Sequence, residues 1–251
     1  MIIISVTPSA TRQERRCKVL VSAKNHNWNA VIAAATPSRC ESDRELLPFA
    51  LLALQNKGLL GDRLFEYPIR EMHDLDYQGK DINIGHFFDA VLAESLNLPN
   101  EAIHNVFQLN CGRPYGMCFL SLHLLIRNNI EKGNFSMADK YLRILARSPR
   151  FASDARKMLS RLEAPTPAPG AHKNTSGDAR LLTKNPIMNL GMLLEDGRVG
   201  EGGEDRFLSF CLFSKNVGSL SPDIIRRPSC SEALIPTCSA PTKKSCAHSW
   251  I

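Results

Sequence analysis

A chain of 251 residues is long enough for one or two domains with a real core, and 43% apolar with 22% charged content excludes wholesale disorder. The net charge of +6 is scattered along the chain, too dilute for a nucleic-acid footprint, so no nucleic-acid partner is expected. The longest apolar runs, PFALLAL and FLSLHLLI, fall well short of the roughly 18 to 20 residues a membrane span requires, and the chain as written is expected to be soluble.

In chain order, Met1 to Val6 has no basic residue ahead of its apolar run, lacks the parts of a signal peptide, and reads as a short strand or a frayed end. A first helix is predicted over Arg15 to Lys24, and a second over NWNAVIAAATP, with Asn27 as N-cap and Pro37 as the stop. A third spans Ser42 to Lys57, with Leu46, Phe49, Ala50, Ala53 and Leu54 on one face and Gly58 as C-cap. Pro48 marks either its start or a kink. LLGDRLFEYP reads as a short amphipathic turn of helix ended by Pro68, and Ile69 to Asn83 as a loop.

The helical period returns over Ile84 to Leu98 and again from Pro99, a favoured first helical residue. Tyr115 to Lys132 carries the clearest stripe, Phe119, Leu122, Ile126 and Ile130, and Gly133 breaks it. Asn134 then caps a helix with an apolar face of Phe135, Ala138, Tyr141, Leu142 and Leu145, stopped by Pro149, and Ser153 to Glu163 is one more helix. APTPAPGAHKNTSGD has a linker composition, ARLLTKNPIMNLGMLL and DRFLSFCLF suggest two further helices, and little order is expected beyond Gly218. The organisation is therefore an extension (1–14), a helical-hairpin domain (15–164), a Pro-rich linker (165–177), one or two helices (178–217) and a poorly ordered tail (218–251).

Hairpins in series suggest a solenoid. Leu122, Leu125, Gly133, Phe135, Ala138, Leu142 and Pro149 follow the pattern of a tetratricopeptide repeat (TPR), in which a small residue lets two helices cross closely and larger ones fill the groove beside it. Ile126 stands where that pattern wants a small residue, so the fold class expected is all-α, a degenerate TPR-like solenoid of antiparallel hairpins, and KNHNWNAVIAAATP is a looser echo.

No catalytic constellation emerges, and no cofactor or metal site is expected. Seven histidines are spread out, with His86, His104 and His123 on predicted helices as packing or surface residues. Glu71, Asp74, Asp76 and Asp81 share a loop but lack EF-hand spacing and read as solvated. GRVGEGGED reads as a flexible turn, because Glu201, Glu204 and Asp205 would repel phosphate. Cys17, Cys40, Cys111 and Cys118 are dispersed as small hydrophobes in a reducing compartment, and Cys230, Cys238, Cys246 and His248 are spaced too widely for a structural zinc. Lys140, Arg143, Arg147, Arg150, Arg156, Lys157 and Arg161 form a basic, solvated face.

LALQNKGLLGDRLFEYP, with WNAVIAAA upstream and GNFSMADKYLRILARSP downstream, resembles an uncharacterised bacterial family of large multi-pass membrane proteins known only as a domain of unknown function. The likeness rests on Trp28, Ala53, Leu54, Gly58, Leu60, Asp62, Phe65, Gly133, Ala138, Tyr141 and Leu142. The resemblance implies a soluble region of TPR-like hairpins and, for the relatives, attachment to the bacterial inner membrane through a hydrophobic portion missing here. It implies no activity.

The function expected is a non-enzymatic helical scaffold that binds an unknown protein or peptide, with Trp28, Phe65 and Tyr67 as contacts if exposed and the Arg143, Arg147, Arg150 side as a further surface. The alternative is an auxiliary domain of a membrane enzyme or transporter whose functional portion lies outside this chain.

Overall fold

The computed structural model describes residues 8–112, 114, 116–163, 186–195 and 201–214. The expectations for Met1 to Val6, for the linker, and for the tail with Cys230, Cys238, Cys246 and His248 lie outside them. The described residues are all-α: α1 (Pro8–Lys24), α2 (Trp28–Ala34), α3 (Pro37–Ser42), α4 (Leu47–Asn56), α5 (Leu60–Arg63), α6 (Ile82–Ser95), α7 (Pro99–Cys111), α8 (Phe119–Glu131), α9 (Phe135–Leu145), α10 (Ala152–Glu163), α11 (Pro186–Glu195) and α12 (Glu201–Ser214), with short 3-10 turns at Arg44–Leu46, Leu64–Glu66 and Met72–Leu75. None of these helices is long and apolar enough to cross a membrane.

One backbone device turns the chain four times. His26, Gly58, Asn97 and Gly133 all lie in the left-handed region, with φ of 54°, 65°, 56° and 79°. In each case the next amide reaches back five residues to a carbonyl that its helix would leave open: Asn27 to Ser22, Leu59 to Leu54, Leu98 to Ala93 and Asn134 to Asn129, at 2.9, 2.9, 2.9 and 2.8 Å. A new helix starts at once after each turn, so α1 packs on α2 and α4 on α5, while each helix from α6 to α9 packs on its successor. A single apolar cluster then runs from Val19 of α1 to Cys211 of α12. At its centre Phe49 meets Tyr77, Phe87 and Phe88 at ring separations of 6.2, 6.1 and 5.2 Å.

Several expectations change. The first helix starts at Pro8, inside the expected extension; Thr11 to Glu14 are polar and exposed, so no apolar period marks its beginning. The helix expected over Ser42 to Lys57 is two elements. Asp43, at φ −140°, leaves the helical region and sends its buried carboxylate to Arg16 Nε and Nη2 at 2.8 and 2.6 Å. Pro37 opens α3 as well as closing α2, and Pro48 sits in the first turn of α4, where its missing N–H is harmless. Asn27 caps α2 with its side chain, accepting from the Ala30 amide at 3.2 Å, whereas Asn134 holds the N-cap position of α9 by its backbone only.

The core of α9 is as expected at Ala138, Tyr141, Leu142 and Leu145, but Phe135, read as a groove filler, is exposed. It is the first residue of the helix, and helical side chains lean toward the N-terminus, here away from the packed turn. Glu201 to Asp205 open α12 instead of forming a flexible turn. Cys17 and Cys111 are exposed and only Cys40 of the four dispersed cysteines is fully buried.

Gly133→Ala is expected to lower stability by about 1 kcal/mol, because alanine resists the left-handed conformation. A lower urea midpoint at unchanged slope is the measurement; an unchanged midpoint would contradict the turn geometry.

Candidate functional site

A helix presents a residue on the same face about every fourth position, and on α8 that places Phe119, His123 and Arg127 in one row. The row is polar and aromatic, whereas Leu122, Leu125 and Ile126 of the same helix are core. Its two ends are built differently.

At the Arg127 end lies a buried carboxylate. Glu94 projects from α6 with only 2% of its side chain exposed, and an isolated charge there would be strongly disfavoured. Arg127 answers with a forked pair, Nε to Oε1 at 3.0 Å and Nη2 to Oε2. Asn128 donates to Oε1, and His26 Nε2 lies 3.1 Å from Oε2. The remaining Nη1 of Arg127 donates to the Lys24 carbonyl at the end of α1 at 2.7 Å, so α1, α6 and α8 meet at one carboxylate. The His26 ring stacks on Trp28, centroids 5.2 Å apart and planes 16° from parallel, which holds the indole half-buried beside this hub.

At the Phe119 end the chain returns from α9 and brings up Phe151 just before α10. Its ring lies 4.7 Å from Phe119 and 5.6 Å, edge to face, from His123. The Arg150 guanidinium sits 5.8 Å from the Phe151 ring centre, a cation–π separation. Phe119 remains 48% exposed, and Met158, two turns beyond Phe151 on α10, is exposed too.

Between the two ends the electrostatics are cationic. Burial, with Lys24 and Arg127 adding, pushes the His123 imidazole down to about 4 against a weaker opposing effect of Asp154, so the ring is neutral near pH 7. Burial and then Arg127 likewise lower the Lys24 ammonium.

The sequence-nominated residues divide. Trp28 borders the row through His26, and Arg150 joins it through Phe151. Arg143 on α9 and Arg147 just past its end are exposed, Arg143 paired with Asp139 at 2.8 Å. Phe65, 75% exposed, stands on the separate turn after α5. Tyr67 is buried in the core, which removes it as a contact; its hydroxyl has no hydrogen-bond partner among the described residues.

The acidic loop is dispersed as well. Asp74 binds Arg44 at 2.5 Å, Asp76 binds Arg206 at 3.0 Å, and Asp81 caps α6 through the Asn83 amide. The open cleft of about 300 Å³ over Arg44, Asp74, Asp76 and Lys80 thus has carboxylates already matched to guanidinium groups. Among the described residues, no three His, Cys, Asp or Glu side chains are placed to hold a metal ion.

Glu94, Arg127 and His26 carry the hub, and the sequence reading missed all three. The available signal was charge inside apolar runs: Glu94 in AVLAESL and Arg127 in LLIRNNI each interrupt a face that otherwise packs.

Fold and site together define an all-α protein of helical hairpins whose inward-tied α8 presents a row of aromatic and cationic side chains. Residues 2–244 match a family of unknown function (DUF6057), and the chain belongs to that family. No curated protein and no solved structure matches it.

Glu94→Gln leaves Arg127 without its counter-charge and is expected to cost about 2 kcal/mol. In a double-mutant cycle with Arg127→Met the two losses should not add; additive losses in urea unfolding would refute the pairing. Because the folded chain holds His123 at about 4 against an ordinary 6.5, the unfolded chain takes up the proton first. The stability from neutral His123 is complete above pH 6.5 and is lost as pH falls through 4. His123→Phe should flatten urea midpoints over that window, and an unaltered slope would reject the assignment.

Proposed function

We propose that this protein is a non-enzymatic helical scaffold, a degenerate TPR-like array of hairpins, that binds an extended segment of a partner protein along the α8 row. The observation that carries this reading is the meeting of Phe119 and His123 from α8 with Phe151 at the head of α10, with Phe119 left half in solvent. In helical-repeat proteins the first helices of successive hairpins line the concave binding side, and α8 and α10 flank α9 as such helices do. A rigid aromatic platform edged by cations fits a peptide with an apolar or aromatic anchor and a carboxylate, since aromatic and Arg anchors dominate such contacts. Trp28, beside the hub, extends the platform, and the exposed arginines at and just past the end of α9, Arg143, Arg147 and Arg150, favour an acidic partner on the adjoining surface. On this reading the array is the soluble region of a membrane-associated protein, as the likeness of its hairpins to those of multi-pass relatives implies.

Panning a random peptide library on the immobilised full chain is expected to return sequences that combine an aromatic residue with acidic neighbours. Phe119→Ala with Phe151→Ala should weaken the selected peptides at least tenfold, while Phe65→Ser leaves them unchanged. Peptides indifferent to the first pair of changes would overturn the assignment.

A further inference from the structure

Arg206 of α12 is the largest fully buried side chain of the described residues, 1% exposed, and it lies far in sequence from everything it grips. Its Nη2 donates to the Leu75 carbonyl at 2.6 Å and to Asp76 Oδ1 at 3.0 Å, and Nη1 to Gln55 Oε1 at 3.3 Å. Leu75 ends the Met72–Leu75 turn, so its carbonyl is one that a helix end leaves open. The guanidinium also lies 5.9 Å from the Phe88 ring and 5.5 Å from the Phe210 ring. Phe210 is one turn on from Arg206 on the same face, and with Phe207 and Cys211 it is buried.

This surface accepts a helix closely. A Cβ on Gly202 would come within 2.9 Å of the Gln55 carbonyl, so the start of α12 lies almost on the backbone of α4. The helix packs on α4, α5 and the Met72–Leu75 turn, and through Gly191 and Phe207 on α11. A buried charge satisfied by three acceptors from two other elements is a poor way to gain stability and a good way to select a partner, because an apolar side chain would pack with less desolvation.

We propose that the surface of α4, α5 and Met72–Leu75 is a helix-binding groove whose ligand is an amphipathic helix with an arginine and a phenylalanine four residues apart. The hairpin α11–α12 is its built-in occupant, a separable unit that a partner helix of the same chemistry displaces. Gln55, the Leu75 carbonyl, Asp76 and the Phe88 ring read the arginine; the apolar floor of α4 reads the aromatic.

The full chain carrying Arg206→Glu, which sets two carboxylates face to face, tests this. By hydrogen exchange, α11 and α12 should lose protection while α6 to α9 retain it. A labelled synthetic peptide of residues 186–214 should then bind the Arg206→Glu chain saturably, and bind the unaltered chain at least tenfold more weakly because its groove is filled. The same peptide with Arg206→Glu should not bind. Should Arg206→Glu fail to fold, Gly202→Ala displaces α12 with its arginine intact and is measured in the same way. Loss of protection in α6 to α9 together with α12 in the Gly202→Ala chain, or a released groove that ignores the unaltered peptide, would overturn the proposal.

Discussion

A carboxylate with almost no access to water constrains the arrangement of the first eight helices. Glu94 sits among Ala90, Val91 and Ala93 on the inner face of α6, where an unpaired charge would be worth several kcal/mol against folding. Its partners cannot all come from α6. Arg127 and Asn128 arrive on α8, and His26 arrives on the turn after α1. Because the fork of Arg127 matches both carboxylate oxygens and its third nitrogen binds the Lys24 carbonyl, the rotation of α8 about its axis is defined relative to α6 and α1. His123 and Phe119, one and two turns back on the same row, are thereby turned toward α10. The candidate binding row owes its direction to a polar contact some distance from its exposed end.

The same hub explains an unfavourable piece of backbone. His26 has a side chain yet lies at φ 54°, a conformation that disfavours residues with a Cβ by about 1 kcal/mol or more. Glycine there would relieve the backbone but would remove the ring that reaches Glu94 and stacks on Trp28. Of the four left-handed turns, Gly58 and Gly133 were legible in the sequence because glycine announces such a turn. His26 and Asn97 were not, since an individual histidine or asparagine carries no such signal until the chain after it is seen to reverse. The all-α class and the order of the longer helices were therefore readable from apolar period and proline placement, α3 was not, and the turn chemistry was only half readable.

The candidate row on α8 was less legible than the fold, for a physical reason. Periodicity reports which residues leave water, and it reports nothing about which charged groups will meet. Glu94 and Arg127 are 33 residues apart and Arg206 and Asp76 are 130 apart, so their pairing follows from tertiary packing alone. Phe119 was assigned to an apolar stripe with Leu122 and Ile126, yet it lies at the first turn of α8, where the neighbouring loop leaves it uncovered. Tyr67 shows the converse: named as a contact only if exposed, it lies inside the apolar cluster. Aromatic identity selected the right class of residue without saying which side of the packing it would occupy.

The two arginines solve different problems. Arg127 keeps part of its surface in water, with 29% of its side chain exposed, so its bond to Glu94 neutralises a charge that the fold had already enclosed. Arg206 is itself enclosed, and burial lowers its basicity against the opposing effect of Asp76. Hydrocarbon at that position would hold α12 on α4 with less desolvation, but a purely apolar face can slide by a helical turn with small loss. A guanidinium that must find the Leu75 carbonyl, Asp76 and Gln55 at once accepts a single register, and a shift of one turn, about 5.4 Å, would leave a buried cation without any of its acceptors. Binding of α12 is thus governed by correctness of fit more than by apolar area, which is the property expected of a surface that distinguishes one helix from another.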